Sequence, residues 1–235
     1  MKRQIYSTFG FVLLLLLWSS FRAPDSLPKP SLDNTLSESI ASRPSFAEAL
    51  DYRVNARAIE LAIEGYENLL HKGQAFKENL VVIDYSKSAN DSRFYVIDMK
   101  DTTLLYSSLV AHGKNTGQLY ATDFSNKVGS YKSSLGFFKT AETYSGKHGL
   151  SLRLDGLEDG INHKARERAI VIHSADYVSK DFIQAHGRLG RSHGCPALPF
   201  ENYEEVIHSI KEGCLLFIYA NQNNYASNSE LLANY

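Results

Sequence analysis

From Leu80 onward the apolar residues of this chain recur largely with a period of two, and polar turns separate the runs. "LVVIDY", "RFYVIDM" and "TLLYSSLVA" come first, followed by "GFFKT", "LSLRL", "RAIVIH" and "CLLFIYA". A helix does not keep one face apolar with that period, so each run predicts a strand. Fourteen Tyr and twelve Phe favour the same outcome, because aromatic side chains pack well on a pleated surface. The expected fold is mainly β, one compact β-rich domain. A short helix is expected between Tyr203 and Lys211, and the Asn- and Ser-rich residues 221–235 predict a flexible, frayed tail. No internal repeat is visible.

Upstream the period changes. In "SFAEALDYRVNARAIELAIEGYENLLHKG" the apolar residues recur at helical spacing. Ser45 and Glu48 have the spacing of a capping box, and Gly73 supplies a stop. This predicts an N-terminal helical extension over residues 45–73, as one helix or two. Residues 24–44 are rich in Pro and Ser and read as a linker. Residues 1–23 carry Lys2 and Arg3, an apolar run from Phe9 to Trp18, and the small residues Ser19, Ser20 and Ala23. That is the pattern of a secretory signal peptide. The alternative is an uncleaved anchor, although the run is shorter than the roughly 18–20 residues of a spanning helix. Export is therefore expected, with membrane contact only through such an anchor. The net charge of -1 gives no field that would draw the chain to nucleic acid.

The chain has two cysteines in different settings. Cys214 lies in the apolar run "EGCLLFIYA", whereas Cys195 lies in "HGRLGRSHGCPALP", a glycine-rich turn. An oxidising compartment makes a Cys195–Cys214 disulfide one reading. A nucleophilic thiol is the other. A free thiol has a pKa of about 8.5, so it needs a base or cation nearby and donors for a developing oxyanion. Gly194 permits close backbone approach, and the amides of Gly194 and Cys195 are candidates to point at one oxygen. His173, closing the strand "RAIVIH", is the candidate base, with Ser174 or a nearby carbonyl fixing its tautomer. His193 is the second candidate base, or a residue that shapes the pocket. A zinc site of His173, His186, His193 and Cys195 is a third reading, though their spacing matches no closed structural site.

Taken together, His173-Ser174 followed by Ser192-His193-Gly194-Cys195 resembles the signature of the murein L,D-transpeptidases, the YkuD-like domain. "SSLGFF", Ser133 to Phe138, is similar to that family's Thr-Pro-x-Gly-x-Phe stretch, with Ser133 and Ser134 in place of Thr and Pro. "ETYSGKHGLSLRLDGLEDGIN" and "RAIVIHSADYVS" extend the resemblance, which covers roughly residues 80–220. It implies a β-sandwich or mixed-sheet catalytic domain over residues 80–220 and a bacterial cell-envelope or periplasmic enzyme. Cys195 would attack a tetrapeptide stem of peptidoglycan, His173 would serve as the base, and the Gly194 turn would hold the oxyanion. The thioester would then pass to an amine, giving a 3–3 cross-link or an exchange product; no cofactor is required and carbapenems are expected to acylate the thiol. Water as acceptor would make a carboxypeptidase, and loss of chemistry would leave a peptidoglycan-binding module.

The chain departs from the family where Pro196 and Ala197 follow the nucleophile in place of an aliphatic residue and an Arg. The substrate-binding cation must then come from elsewhere. Arg191, Arg188 and Arg153 are the candidates, and Tyr144 and Gly136 are the other residues expected at the substrate. Papain-like peptidases place Cys before His, the reverse of the order here. Sortases need an Arg after the Cys, and none follows Cys195.

Overall fold

A computed structural model of the chain describes residue 50 and residues 53–232. The signal-like segment, the linker and the Ser45–Glu48 pair lie outside the described residues. The first element is helix α1, Ala56–His71, capped by the Asn55 side chain, which accepts from the amides of Arg57 and Ala58. The helix closes as its sequence predicts. Gly73 N–H returns to Leu70 O at 2.8 Å and Gln74 N–H to Leu69 O at 3.0 Å, satisfying carbonyls that the helix leaves open.

Eight strands form one mixed sheet in the order β3-β2-β1-β8-β4-β5-β6-β7. They are β1 Asn79–Asp84, β2 Phe94–Asp98, β3 Thr103–Ser108, β4 Gly136–Gly146, β5 Gly149–Gly156, β6 Val171–Ser174, β7 Ala197–Leu198 and β8 Leu215–Tyr219. The central strands β1 and β8 pair in parallel and are buried almost throughout. Both faces are covered there, which corrects the period-two reading for these two strands: Leu80–Ile83 and Leu215–Ile218 are continuous apolar runs. At the edge, β3 alternates between exposed and half-buried residues. "GFFKT" and "LSLRL" are parts of one long hairpin, β4–β5, whose tip is Lys147-His148 between paired Gly146 and Gly149.

Helix α1 packs across β1 and β8 through Ile59, Leu61, Ala62, Tyr66 and Leu69. Its closest approach is at Gly65, where an added Cβ would stand 2.0 Å from Phe137 Cζ. The helical extension is thus an integral layer of the domain. Helix α2, Lys180–His186, follows β6, and α3, Tyr203–Ile210, packs on β1, β5 and β6. The expected frayed tail is instead packed as far as residue 232. A short helix α4, Tyr225–Asn228, leads to buried Ser229, Leu231 and Leu232. Buried Glu158 accepts from the hydroxyls of Tyr225 and Ser229, and Asn68 of α1 donates to Leu231 O at 2.7 Å. Composition alone predicts fraying because these partners lie far away in sequence. Among the described residues no helix is long and apolar enough to cross a membrane.

Candidate active site

Strands β6 and β7 run in parallel with His173 opposite Ala197 and Ser174 opposite Leu198. That register brings the end of β6 beside the turn that precedes β7, and with it His173 beside the segment carrying Cys195. Both residues line a cleft of about 540 Å³. Tyr144, Arg191 and His193, expected at the site, line it too; Lys147 and Arg168 add positive groups, and His148 completes that wall.

His173 is buried, and its Nδ1 lies 2.8 Å from the carbonyl oxygen of Ser174. A carbonyl only accepts, so Nδ1 carries the proton and Nε2 keeps a free lone pair. The Ser174 hydroxyl has another task, donating to His148 O at 3.3 Å. Burial lowers the His173 pKa, the charges of His148 and Lys147 lower it further, and the bond to Ser174 opposes them. The ring is therefore neutral at pH 7.

Cys195 is half-buried, and its sulfur lies 3.6 Å from Ala169 O. Burial pushes its thiol pKa up; the Val171 amide, Arg168 and Lys147 offset part of that rise. The resting pair is a neutral thiol and a neutral imidazole. Cys214 is also a free thiol, buried beside Thr140, whose hydroxyl accepts from the Cys214 amide at 2.8 Å.

The turn before β7 is held by its own Ser192. The Ser192 hydroxyl accepts from Gly194 N–H at 3.0 Å and donates to Cys195 O at 2.6 Å. This corrects the expectation that the Gly194 and Cys195 amides converge on one oxygen, because the Gly194 amide is already engaged. Gly194 itself is required. Its φ is +124°, and an added Cβ would lie 2.8 Å from Lys132 O.

Several expected residues stand elsewhere. Arg188 folds onto the carbonyl of Leu189 and does not line the cleft. Arg153 pairs with Glu142 at 3.1 Å and covers the ring of Tyr144 from outside the cleft. Gly136 backs onto the Glu158 carboxylate. His186 packs on Phe182 at the end of α2 and is not part of the cleft. Among the described residues no group of three His, Cys, Asp or Glu side chains is placed to hold a metal. His193 is exposed, its ring centroid 4.6 Å from that of Tyr131. Arg191 lines the cleft while Nη1 donates to Lys114 O and Gly117 O, at 2.8 and 3.0 Å.

Two parts of the site were not marked in the sequence. Arg168 opens "RAIVIH" and reads there as a polar strand residue. In the structure it donates to the carbonyls of Ser125 and Lys132 and to the Ser134 hydroxyl, beneath the Gly194 turn. The other part is "AHGK", Ala111 to Lys114, which cradles the turn. Ala111 and Ala197 exchange backbone hydrogen bonds, Ser192 N–H donates to His112 O, and Lys114 N–H donates to Ser192 O. The available signal was a His-Gly pair a few residues after a strand, the same pairing that marked Cys195.

Fold and site together define a mainly β domain with a cysteine–histidine cleft. Residues 50–219 match the family of L,D-transpeptidase catalytic domains, and the chain belongs to that family. No curated protein matches it. Among solved structures it is similar to an L,D-transpeptidase from Mycobacterium smegmatis, at 16% identity and a TM-score of 0.39 over 61% of this chain and 59% of that one. It is also similar to the helical cell shape determining protein Pgp2 from Campylobacter jejuni, at 14% identity, TM-score 0.40, and 68% and 56% coverage. An L,D-transpeptidase from Stackebrandtia nassauensis aligns at 14% identity, TM-score 0.38, over 82% and 90%. The chain spans less than two thirds of the length of the first two.

Proposed function

We propose that this protein is a cysteine acyltransferase of the cell envelope that acts on peptidoglycan stem peptides. The observation that carries the reading is the 2.8 Å contact of His173 Nδ1 with Ser174 O: a carbonyl accepts the Nδ1 proton, which leaves Nε2 to act as the base in the cleft that also holds Cys195. As thiol and imidazole are both neutral at rest, the sulfur is activated during attack. Cys195 Sγ bonds to the stem carbonyl carbon as its proton passes to His173 Nε2. The carbonyl electron pair moves onto oxygen. When it returns, the C–N bond breaks and His173 protonates the leaving amine, leaving a thioester. An acceptor amine then attacks the thioester, loses its proton to His173 and releases the thiol. Water in place of that amine gives carboxypeptidation.

The cleft chemistry suits an anionic donor. Lys147, His148, Arg168 and Arg191 line it, and among the described residues no Asp or Glu does. Stem peptides carry free carboxylates, which such a surface attracts. The test is incubation with defined tetrapeptide muropeptides and mass analysis of the products. A 3–3 cross-linked dimer or an amine-exchange product is expected, and a tripeptide would identify water as acceptor. Cys195→Ala should abolish all three. Turnover that survives this substitution removes the nucleophile assignment, and wild-type protein that binds stems without turnover would be a binding module.

A further inference from the structure

Gly194 and Cys195 share one peptide unit, and the two ends of that unit have different surroundings. The carbonyl end, on Gly194, accepts from the Ser133 hydroxyl at 3.1 Å. Ser133 is 1% exposed and is itself held on two further sides. Its hydroxyl accepts from Gly113 N–H at 3.1 Å, and its own N–H donates to Thr116 Oγ1 at 2.7 Å. The nearby Tyr85 phenol donates to Ala111 O at 3.2 Å. The amide end, Cys195 N–H, has no acceptor among the described residues, whereas Gly194 N–H is engaged by Ser192.

A trans peptide is planar, and its C=O and N–H point in opposite directions; there are no cis bonds among the described residues. Fixing the Gly194 carbonyl on buried Ser133 therefore fixes the direction of Cys195 N–H, away from Ser133, which is not part of the cleft wall. A hydrogen bond to the carbonyl also polarises the peptide and makes its N–H a better donor.

We infer that Ser133 is a positioning residue for oxyanion stabilisation: through the Gly194 carbonyl it aims Cys195 N–H at the oxygen that gains charge when Cys195 is acylated. The inference rests on the acyl-transfer reading above. As Sγ–C forms, the carbonyl π pair moves onto that oxygen, and a preset donor stabilises it without reorganising. Alkylation of the same sulfur by iodoacetamide forms Sγ–C and expels iodide, with no oxyanion. The two reactions therefore separate aim from thiol reactivity.

The experiment compares wild type, Ser133→Ala and Ser133→Thr in the full chain, measuring acylation of Cys195 by a carbapenem and alkylation by iodoacetamide. Loss of an oxyanion donor costs about 10²–10³ in rate, so misaiming one should slow acylation by about tenfold or more. Alkylation should stay within about twofold, and Ser133→Thr, which keeps the hydroxyl, should restore the wild-type ratio of the two rates. Equal slowing of both reactions would mean that the turn has merely collapsed, and would overturn the inference. So would unchanged acylation in Ser133→Ala, or a Thr variant whose ratio matches Ala. If wild-type Cys195 is alkylated but never acylated, by carbapenem or by stem peptide, the acyl-transfer reading falls and this inference falls with it. Normal wild-type acylation with an insensitive Ser133→Ala removes this inference alone.

Discussion

His148 stacks on His173, with ring centroids 4.5 Å apart and planes 24° from parallel. The hairpin tip between β4 and β5 brings His148 there, and the Ser174 hydroxyl holds its carbonyl. The stack shields the His173 ring from water and adds positive charge beside it; both favour the neutral base. His148→Ala should raise the His173 pKa towards its ordinary value. Protonated, inactive His173 then persists to higher pH, so the acid limb of kcat/KM moves up. NMR titration of His173 checks the same shift without turnover. An acid limb that stays in place or moves down contradicts the role given to His148.

The Cys195 thiol, raised by burial, predicts its own pH signature. Thiolate is the alkylated species. The iodoacetamide rate should keep climbing through pH 9 and show no plateau near neutrality. A plateau near pH 7 would indicate a preformed thiolate–imidazolium pair and would contradict the proton transfer described above.

The buried cradle residue His112 makes stability depend on pH. Arg93 Nη2, an obligate donor, lies 2.8 Å from His112 Nδ1, so the ring must be neutral there. Burial, then the Arg93 charge, pull the His112 pKa down to about 3. Because the folded value lies below the unfolded one, the unfolded chain binds the extra proton. The contribution is fully present above the unfolded pKa of about 6.5 and is lost as pH falls towards the folded value. Between pH 7 and pH 4 this group alone should remove about 3 kcal/mol. Urea unfolding at a series of pH values checks it, and His112→Gln should flatten the slope. An equally steep slope in that variant would place the dependence on other groups.

Docking of α1 turns on Gly65. An added methyl would overlap the Phe137 ring, which packs on Phe217 at a centroid distance of 4.4 Å in the centre of the sheet. Gly65→Ala gains helix propensity of about 1 kcal/mol. Overpacking costs about 1–3 kcal/mol, so the net change should be destabilising. The midpoint of urea unfolding should fall. A rise would show that α1 can shift away from the sheet without loss.

Much of the fold was legible because the strands announce themselves locally. β2, β3 and β8 lie within the apolar runs that predicted them, β1 and β6 each reach one residue beyond theirs, and α3 lies within Tyr203–Lys211. β7 was not legible. It has two residues, and it exists because Ala111 and His173 flank Ala197. The packed tail escaped notice for a related reason: Tyr225 and Ser229 are polar in sequence and buried only because Glu158 waits for them.

The site divides along the same line. Cys195, Gly194 and His173, the core of the proposed site, could be picked from sequence because a cysteine in a glycine turn and a histidine at a strand end carry local signatures. The sequence also determined that the site would be built from strand ends and a glycine turn. Only the tertiary structure decided which groups surround it. It turned Arg153 and Arg188 away from the cleft, tucked Arg168 beneath the turn, and stacked His148 on His173. It also committed the Gly194 amide to Ser192 and its carbonyl to Ser133, which is 61 residues away in sequence. Periodicity and turn chemistry act over a few residues, whereas hydrogen bonds and charge depend on distance in space, which the register of β6 on β7 and the β4–β5 hairpin set.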